Sequence, residues 1–480
     1  IDKIACSDAL DCGATEVTEL VPGTTIHYEI RVDNDGLSDV QGATVSDVLP
    51  ELLSNAVWSC VAALVPGLLS PLPPVAAVHD GDDIDDISRS CSLPSLPLVN
   101  GLDGARAVAV SADGLNLYVA GANDNAVAIF RRDLRNGTVK YTGLVVDGDP
   151  VHDAGCVVTG AVDGLRAASD VEVSPDGLHV YVTGELDDAV ALFERQAVTG
   201  DLKFKQFLRD GVAGVNGLGN VRGAALSPDG KHLYTAAKSD NGVGIFARNA
   251  TTGLLSYLGI RVDGSPQPPL TLDGLAGASA VAVSPDGAHV YIAGETDDAV
   301  AVFSRNAGTG LLTFIEAKKD GLAGVDGLNG ASALAFSDDG LHLYVAGSVD
   351  NAVAVFSRNA TTGALTFVEA ELDGVAGADG LAGAAGVAVS SDGEHVYIAG
   401  ATDSAVAVLA RNPLTGALTP LPTAFDGLGG VDGLGGVRAV VVSPDGEQVY
   451  GAGAGEDALA LLRRGDGSRC TAAGFGSIVD

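Results

Sequence analysis

A tetrad, Ser-x-Asp-Gly, recurs along most of this chain, its aspartate falling at Asp113, Asp176, Asp229, Asp286, Asp339, Asp392 and Asp445. The successive spacings are 63, 53, 57, 53, 53 and 53 residues. Seven units of near-constant length imply a repeat architecture, in which each unit buries its apolar faces only against its neighbours. The stretch from Asp273 to Lys319 shows what one unit contains. "ASAVAVSPDG" alternates small apolar residues and ends in a Pro-Asp-Gly turn; "AHVYIAGETDD", "AVAVFSRNAGTG" and "LLTFIEAKKDG" follow as three more strands, each closed by turn residues. Four short antiparallel strands per unit read as one propeller blade.

The side-chain sizes fit that reading. Ala and Val fill the first strand, where the blades crowd the axis. Tyr118, Tyr181, Tyr234, Tyr291, Tyr344, Tyr397 and Tyr450 repeat on the second strand, and Phe130, Phe193, Phe246, Phe303 and Phe356, then Leu409 and Leu462, on the third. These are expected to fill the layers between blades. The seventh unit lacks a fourth strand, and a ring must close or leave an unpaired edge. "LLSPLPPVAAVHDG" (Leu68–Gly81) is similar to the fourth strand of unit six, "ALTPLPTAFDG" (Ala417–Gly427). Residues 69–78 are therefore expected to complete blade seven, with Ser92–Val99 as the fallback.

Residues 1–60 do not match the repeat. "VPGTTIHYEIRVDNDGLSDVQGATVSDVLPELL" (Val21–Leu53) alternates as a strand, turns at Asn-Asp-Gly and alternates again. Through Pro22, Gly23, Thr25, Tyr28, Ile30, Val32, Asn34, Gly36, Val45, Asp47, Leu49 and Pro50 it resembles the immunoglobulin-like repeat domain of large prokaryotic surface proteins. That family continues with a W-x-C element and a later C…G-x-G-S-I-x-D element. Here they stand on either side of the repeats, as Trp58–Cys60 and Cys470–Asp480. The resemblance implies an all-β chain: a seven-bladed propeller (61–469) inserted into a partial immunoglobulin-like sandwich (1–60 and 470–480). It also implies that Cys60 and Cys470 meet where the propeller leaves and rejoins the sandwich. Because the family's domain carries further strands, an open sandwich edge is expected to pair with another copy or another surface protein. The remaining cysteines are expected as Cys6–Cys12 and Cys91–Cys156, disulfides suited to an oxidising exterior.

The charge balance narrows the partners. Lys plus Arg total 27 against 62 Asp plus Glu, a formal net charge of −35. Nucleic-acid backbones are excluded, since binding them takes clustered positive charge. The acidic surface suits an extracellular or cell-surface location. The uncharged stretch Ala56–Val78 carries Pro66, Pro71, Pro73 and Pro74 and reads as extended chain, not a membrane span. Met is absent, even from position 1, so a mature or excised piece is expected.

The candidate chemistry is repetitive. His179, His232, His289, His342 and His395 occupy one repeat position and read as structural, as do Arg132, Arg195, Arg248, Arg305, Arg358, Arg411 and Arg464, which end the third strands and are expected to pair with carboxylates. The turn between second and third strands carries Asp124, Asp187, Asp240, Asp297, Asp350, Asp403 and Glu456. With the Asp-Gly pairs that lead into the next blade, these bring about three carboxylates per blade to one rim. Such residues read first as formers of tight turns, with calcium as the alternative their oxygens suit. No nucleophile motif or phosphate loop occurs. The phrase "SPDG-H-VYVAG…AVAVF" resembles the lactonase-like and YVTN-type bacterial propellers, whose lactonase members use non-repeating polar residues in the central channel. The sequence alone favours a non-enzymatic secreted or surface protein serving adhesion or filament assembly. The alternatives are a lactonase-type propeller hydrolase and a soluble ligand-binding propeller. An enzyme would show one asymmetric cluster of polar residues in the channel, drawn from non-consensus positions.

Overall fold

The computed structural model describes residues 77–80, 99–148 and 162–465 throughout, together with the strands Asp2–Cys6, Thr25–Arg31, Leu53–Cys60, Leu69–Pro71, Pro150–His152, Val158–Ala161 and Ala472–Ile478. The chain divides into two compact units, one of residues 1–67 and 465–480, the other of residues 68–464.

In the first unit the four terminal strands form one antiparallel sheet in the order Asp2–Cys6, Thr25–Arg31, Ala472–Ile478, Leu53–Cys60. The end of the chain thus lies between two strands from its beginning, with Ala472 opposite Cys60. A second facing sheet, which an immunoglobulin-like sandwich requires, is not among the described residues. The side chains of Cys6, Cys12, Cys60, Cys91, Cys156 and Cys470, and with them the three expected disulfides, lie outside the described residues, as does most of Ser92–Val99.

The second unit is an all-β seven-bladed propeller with no helix among the described residues. The fourth blade is representative. Its inner strand Ala278–Val283 pairs with Val290–Gly294 of the second strand, and this with Ala299–Phe303 of the third. The third strand pairs with the outer strand Leu312–Lys319, a register shift falling between Val302 and Phe303. In the seventh blade, Val437–Val442, Gln448–Gly453 and Ala458–Arg464 are consecutive. The outer place is filled from the front of the chain by Leu69–Pro71 and Ala77–His79, both against Ala458–Arg464.

The repeated aromatics are buried between blades, the seven second-strand tyrosines and five third-strand phenylalanines all below 2 % exposure. Within a blade the phenylalanine meets an outer-strand ring edge-on, as in Phe303–Phe314 at 5.4 Å and 62°. A polar belt runs through the same layer. Each third-strand arginine reaches the preceding blade. Arg305 Nε donates to Tyr234 Oη (3.0 Å), and Nη2 donates to both oxygens of Asp229 (2.8 and 3.0 Å) and to His232 Nδ1 (2.8 Å). Tyr234 Oη in turn donates to the Gly310 carbonyl of the arginine's own blade (2.8 Å). Gly310 sits at φ +75°, and a Cβ there would meet His232 Cδ2 at 2.3 Å, so that turn takes only glycine. The aspartate of the Ser-x-Asp-Gly tetrad is therefore half of an inter-blade ion pair as well as a turn former.

The belt makes the histidines pH-sensitive. Each accepts the arginine's N–H on Nδ1, which requires a neutral ring protonated on Nε2. Burial, then the adjacent arginine's charge, holds His179, His232, His289 and His342 below the usual imidazole range. A folded-state value below the unfolded one gives stability that is complete above the unfolded value near 6.5 and is lost as pH falls through the folded value. The melting temperature is expected to drop by several degrees between pH 7.5 and 5.5. Replacing the four histidines by Gln, which occupies the site naturally as Gln448, should flatten that slope; calorimetry of both proteins at the two pH values checks it.

Candidate functional site

The acids singled out in the sequence first serve the backbone. Asp240 Oδ2 accepts the N–H groups of Gly217 and Gly219, both at 3.0 Å. Asp297 does the same for Gly274 (3.0 Å) and Ala276 (3.1 Å). Asp124, Asp187, Asp350, Asp403 and Glu456 each accept one N–H from the matching connection. Four of them also stand among other carboxylates: Asp147, Asp163 and Asp187; Asp263, Asp273 and Asp297; Asp320, Asp326 and Asp350; Asp373, Asp379 and Asp403. In blade two Arg209 bridges Asp163 and Asp187 at 2.9 and 3.1 Å, and in blade four Lys319 bridges Asp273 and Asp297 at 2.6 and 3.2 Å. At the same outer-strand position blades five and six carry Leu372 and Phe425. Their trios offer oxygen donors of the kind a hard divalent cation takes. Burial, then backbone hydrogen bonds outweighed by like charge, leaves Asp350 and Asp403 above the usual carboxylate range.

The axis holds a different set. A cavity of about 460 Å³ is lined by the inner strands of all seven blades, a volume typical of small-molecule sites. The inner strands read ARAVAV, ASDVEV, VRGAAL, ASAVAV, ASALAF, AAGVAV and VRAVVV. Small residues keep the lumen open. Charged ones break the repeat at five places, Arg106, Asp170, Glu172, Arg222 and Arg438, and all five line the cavity. The inner-strand serines look inward to the fold instead: Ser169, Ser279 and Ser332 each donate to a carbonyl at the start of the next blade's inner strand, those of Val221, Ala331 and Ala384.

Two tiers result. Arg106, Arg222 and Arg438 stand second in their strands, at the end where inner strands begin. The turns after the second strands add Glu185, Lys238 and Glu295, where four of the blades have Ala122, Ser348, Ala401 and Ala454. Glu185 bridges Arg106 and Arg222. Glu295 accepts Arg222 Nη1 (3.3 Å) and Lys238 Nζ (2.6 Å). Four cations thus face two carboxylates in a chain of net charge −35. Arg438 makes no hydrogen bond or ion pair among the described residues, and Arg222 Nε is buried with no hydrogen-bond partner. Burial, followed by repulsion from Arg106 and Arg222, holds Arg438 below its ordinary value.

The second tier belongs to blade two. Asp170 and Glu172 are two apart on one strand and so project to the same side. Asp170 Oδ2 accepts the Ala224 N–H of blade three (2.8 Å), and Oδ1 the Val171 N–H (2.9 Å). Burial raises both carboxyls above their usual range; backbone hydrogen bonds oppose the rise at Asp170, and Asp170's charge adds to it at Glu172. Glu172 stands three residues along the strand from the arginine position, a rise of about 10 Å. A carboxylate of raised basicity in a cleft is suited to taking a proton from water.

Residues 150–268 and 261–375 match the family model described as "Lactonase, 7-bladed beta-propeller". A probable 6-phosphogluconolactonase of Arthroderma benhamiae is 27 % identical over 143 residues; the match covers 28 % of this chain and 32 % of that relative's length. Two solved propellers share the fold. A putative 6-phosphogluconolactonase from Bacteroides uniformis has a TM-score of 0.51 and 19 % identity, covering 70 % of this chain and 88 % of its own. The periplasmic gluconolactonase of Pseudomonas aeruginosa has a TM-score of 0.52 and 20 % identity, covering 73 % and 96 %.

These matches correct the sequence-based expectation of a non-enzymatic adhesion or filament protein: they lie with lactonases, and the channel carries the asymmetric, non-consensus polar cluster set as the mark of an enzyme. The inference failed because it weighed the residues that repeat. The signal lay in those that do not, polar residues in inner-strand positions that other blades fill with Ala, Ser, Gly or Val.

Proposed function

We propose that this chain, a propeller of the seven-bladed lactonase type, hydrolyses the cyclic ester of a sugar acid that carries an anionic group such as a phosphate. The observation that carries this reading is the two-tier channel: an excess of positive charge at one end and a basic carboxylate about 10 Å deeper. The anionic group docks on the arginines, with Arg438 as the open donor. The lactone carbonyl then lies near Glu172. Glu172 accepts a proton from a water molecule as that water adds to the carbonyl carbon. Cleavage of the ring C–O bond returns the proton to the departing alkoxide oxygen and yields the open hydroxy acid. Burial, and then the like charge of Asp170, keeps Glu172 basic. The activities named for the similar proteins, lactone hydrolyses, support this chemistry. An exported location belongs to the same proposal, supported by the acidic surface and the six cysteines.

The test is ring opening of glucono-δ-lactone and its 6-phosphate, followed by pH-stat against the spontaneous rate. Acceleration of both, with a clear preference for the phosphorylated lactone, is expected. Rates equal to the spontaneous ones for both substrates would overturn the proposal.

A further inference from the structure

The channel mouth already contains an anion of its own. Glu185 follows the second strand of blade two, at a position where blades one, six and seven carry alanine (Ala122, Ala401 and Ala454). Its side chain is 11 % exposed. It accepts Arg106 Nη1 of blade one, and from blade three Arg222 Nη2 (3.2 Å) and Asn220 Nδ2 (3.1 Å). Burial opposes its ionisation, but the charges of Arg222 and Arg106 with their hydrogen bonds prevail and hold the carboxyl below its usual range. Blade three places Lys238 nearby, bound to Glu295 of blade four (2.6 Å). The third mouth arginine, Arg438 of blade seven, is outside this lattice.

We propose that Glu185 is a specificity-determining residue, an internal carboxylate that competes with an incoming anion for Arg106 and Arg222. An anion entering the channel finds these two guanidiniums committed to Glu185. It gains full ion pairing only at Arg438. The internal carboxylate also repels the newcomer, and the lumen around it is narrow and poorly screened, so its charge acts over several ångströms. The mouth therefore admits a tetrahedral oxyanion, such as a phosphate monoester, less tightly than its arginines alone would. It also keeps those arginines paired and ordered when no anion is present. This inference rests on reading the mouth as the anion end of the substrate site.

Glu185→Gln keeps an acceptor oxygen for the arginines and removes the charge. Titration calorimetry with inorganic phosphate at low ionic strength reads the effect without turnover. At least tenfold tighter binding is expected in E185Q than in the unaltered chain, the gain abolished when Arg106→Gln and Arg222→Gln are added. In lactone assays E185Q should lower KM for the phosphorylated substrate by a larger factor than KM for the neutral lactone. Equal or weaker phosphate binding in E185Q would overturn the inference, as would a gain that survives the loss of Arg106 and Arg222. Should E185Q fold poorly, E185S is the second variant, since Ser348 occupies this position in blade five, and the same outcomes apply. The two readings fail separately. A chain that opens no lactone but shows the E185Q gain loses only the lactonase proposal, whereas a working lactonase without that gain loses only this one.

Discussion

Glu172→Gln is expected to remove lactone hydrolysis and, at the same time, to make the protein more stable at neutral pH. The loss follows from general-base catalysis, whose removal costs roughly 10²–10⁴ in rate. The gain follows from the burial that makes Glu172 basic. Its carboxyl lies well above the usual range in the folded chain, chiefly through burial and then through the charge of Asp170. A group whose folded value is raised contributes stability that is complete below its unfolded value and is lost as pH rises through the folded one. At pH 7 and above, the native protein bears the cost of an ionised carboxylate in the channel wall; glutamine of the same shape does not. The melting temperature of E172Q should exceed that of the unaltered chain, by a margin that widens with pH. Opposite signs of the two effects separate a lost base from a damaged fold, in which activity and stability would fall together. An E172Q variant with full activity would remove Glu172 from the mechanism. The pH profile gives a companion measurement. The acid limb of kcat/KM should lie above the ordinary carboxylate range, and Asp170→Asn, which keeps an oxygen for the Ala224 N–H, should move that limb downward by removing the neighbouring charge.

The fold was legible because it is written seven times. Tyr118 and its six counterparts, Phe130 and its four, and the Ser-x-Asp-Gly turns all recur at one spacing, and a position that recurs around a ring must perform a task the ring needs at each junction. The arginine belt was half legible: its pairing with carboxylates could be expected, but not that the partner would be the tetrad aspartate of the preceding blade. The histidines read only as structural, and their partner was not foreseen: His232 accepts from Arg305 of the next blade. The candidate site was not legible from the same reasoning. Arg106, Arg222 and Arg438 each look like a stray charge in an apolar strand. Only closing the ring shows that strands 332 residues apart, those of Arg106 and Arg438, face one lumen. In a cyclic repeat the symmetric positions hold the scaffold, and a site for one asymmetric molecule has to come from positions where symmetry is broken. Aligning the seven inner strands against one another would have exposed these residues, Glu172 among them, before any coordinates were known.

The symmetric positions carry the second large effect. Arg305→Met is expected to destabilise the propeller by about 1.5–3 kcal/mol, the range for losing hydrogen bonds to charged groups, because Asp229, 31 % exposed, is partly rehydrated. The Arg305 side chain is only 1 % exposed. Its loss leaves Asp229, His232 and the Gly287 carbonyl without the donors they face, at 2.8 to 3.0 Å. Asp229, held down to about 2 by hydrogen bonds from Ser227 and Arg305 that outweigh its burial, then loses part of that support. Arg305→Lys should recover only part of the loss, because a single ammonium cannot reach tyrosine, aspartate, histidine and carbonyl together. The junction between blades six and seven supplies the internal control. There the Tyr397 hydroxyl and Arg464 Nε are buried without hydrogen-bond partners among the described residues, although Arg464 still meets Asp392 and His395. At 10 % exposure, Arg464 is also less enclosed. Arg464→Met should therefore cost less than Arg305→Met, and denaturant unfolding of both variants compares them directly. Equal losses would mean that the ring shares its strain evenly around all seven junctions, and that the tyrosine link adds nothing to the ion pair.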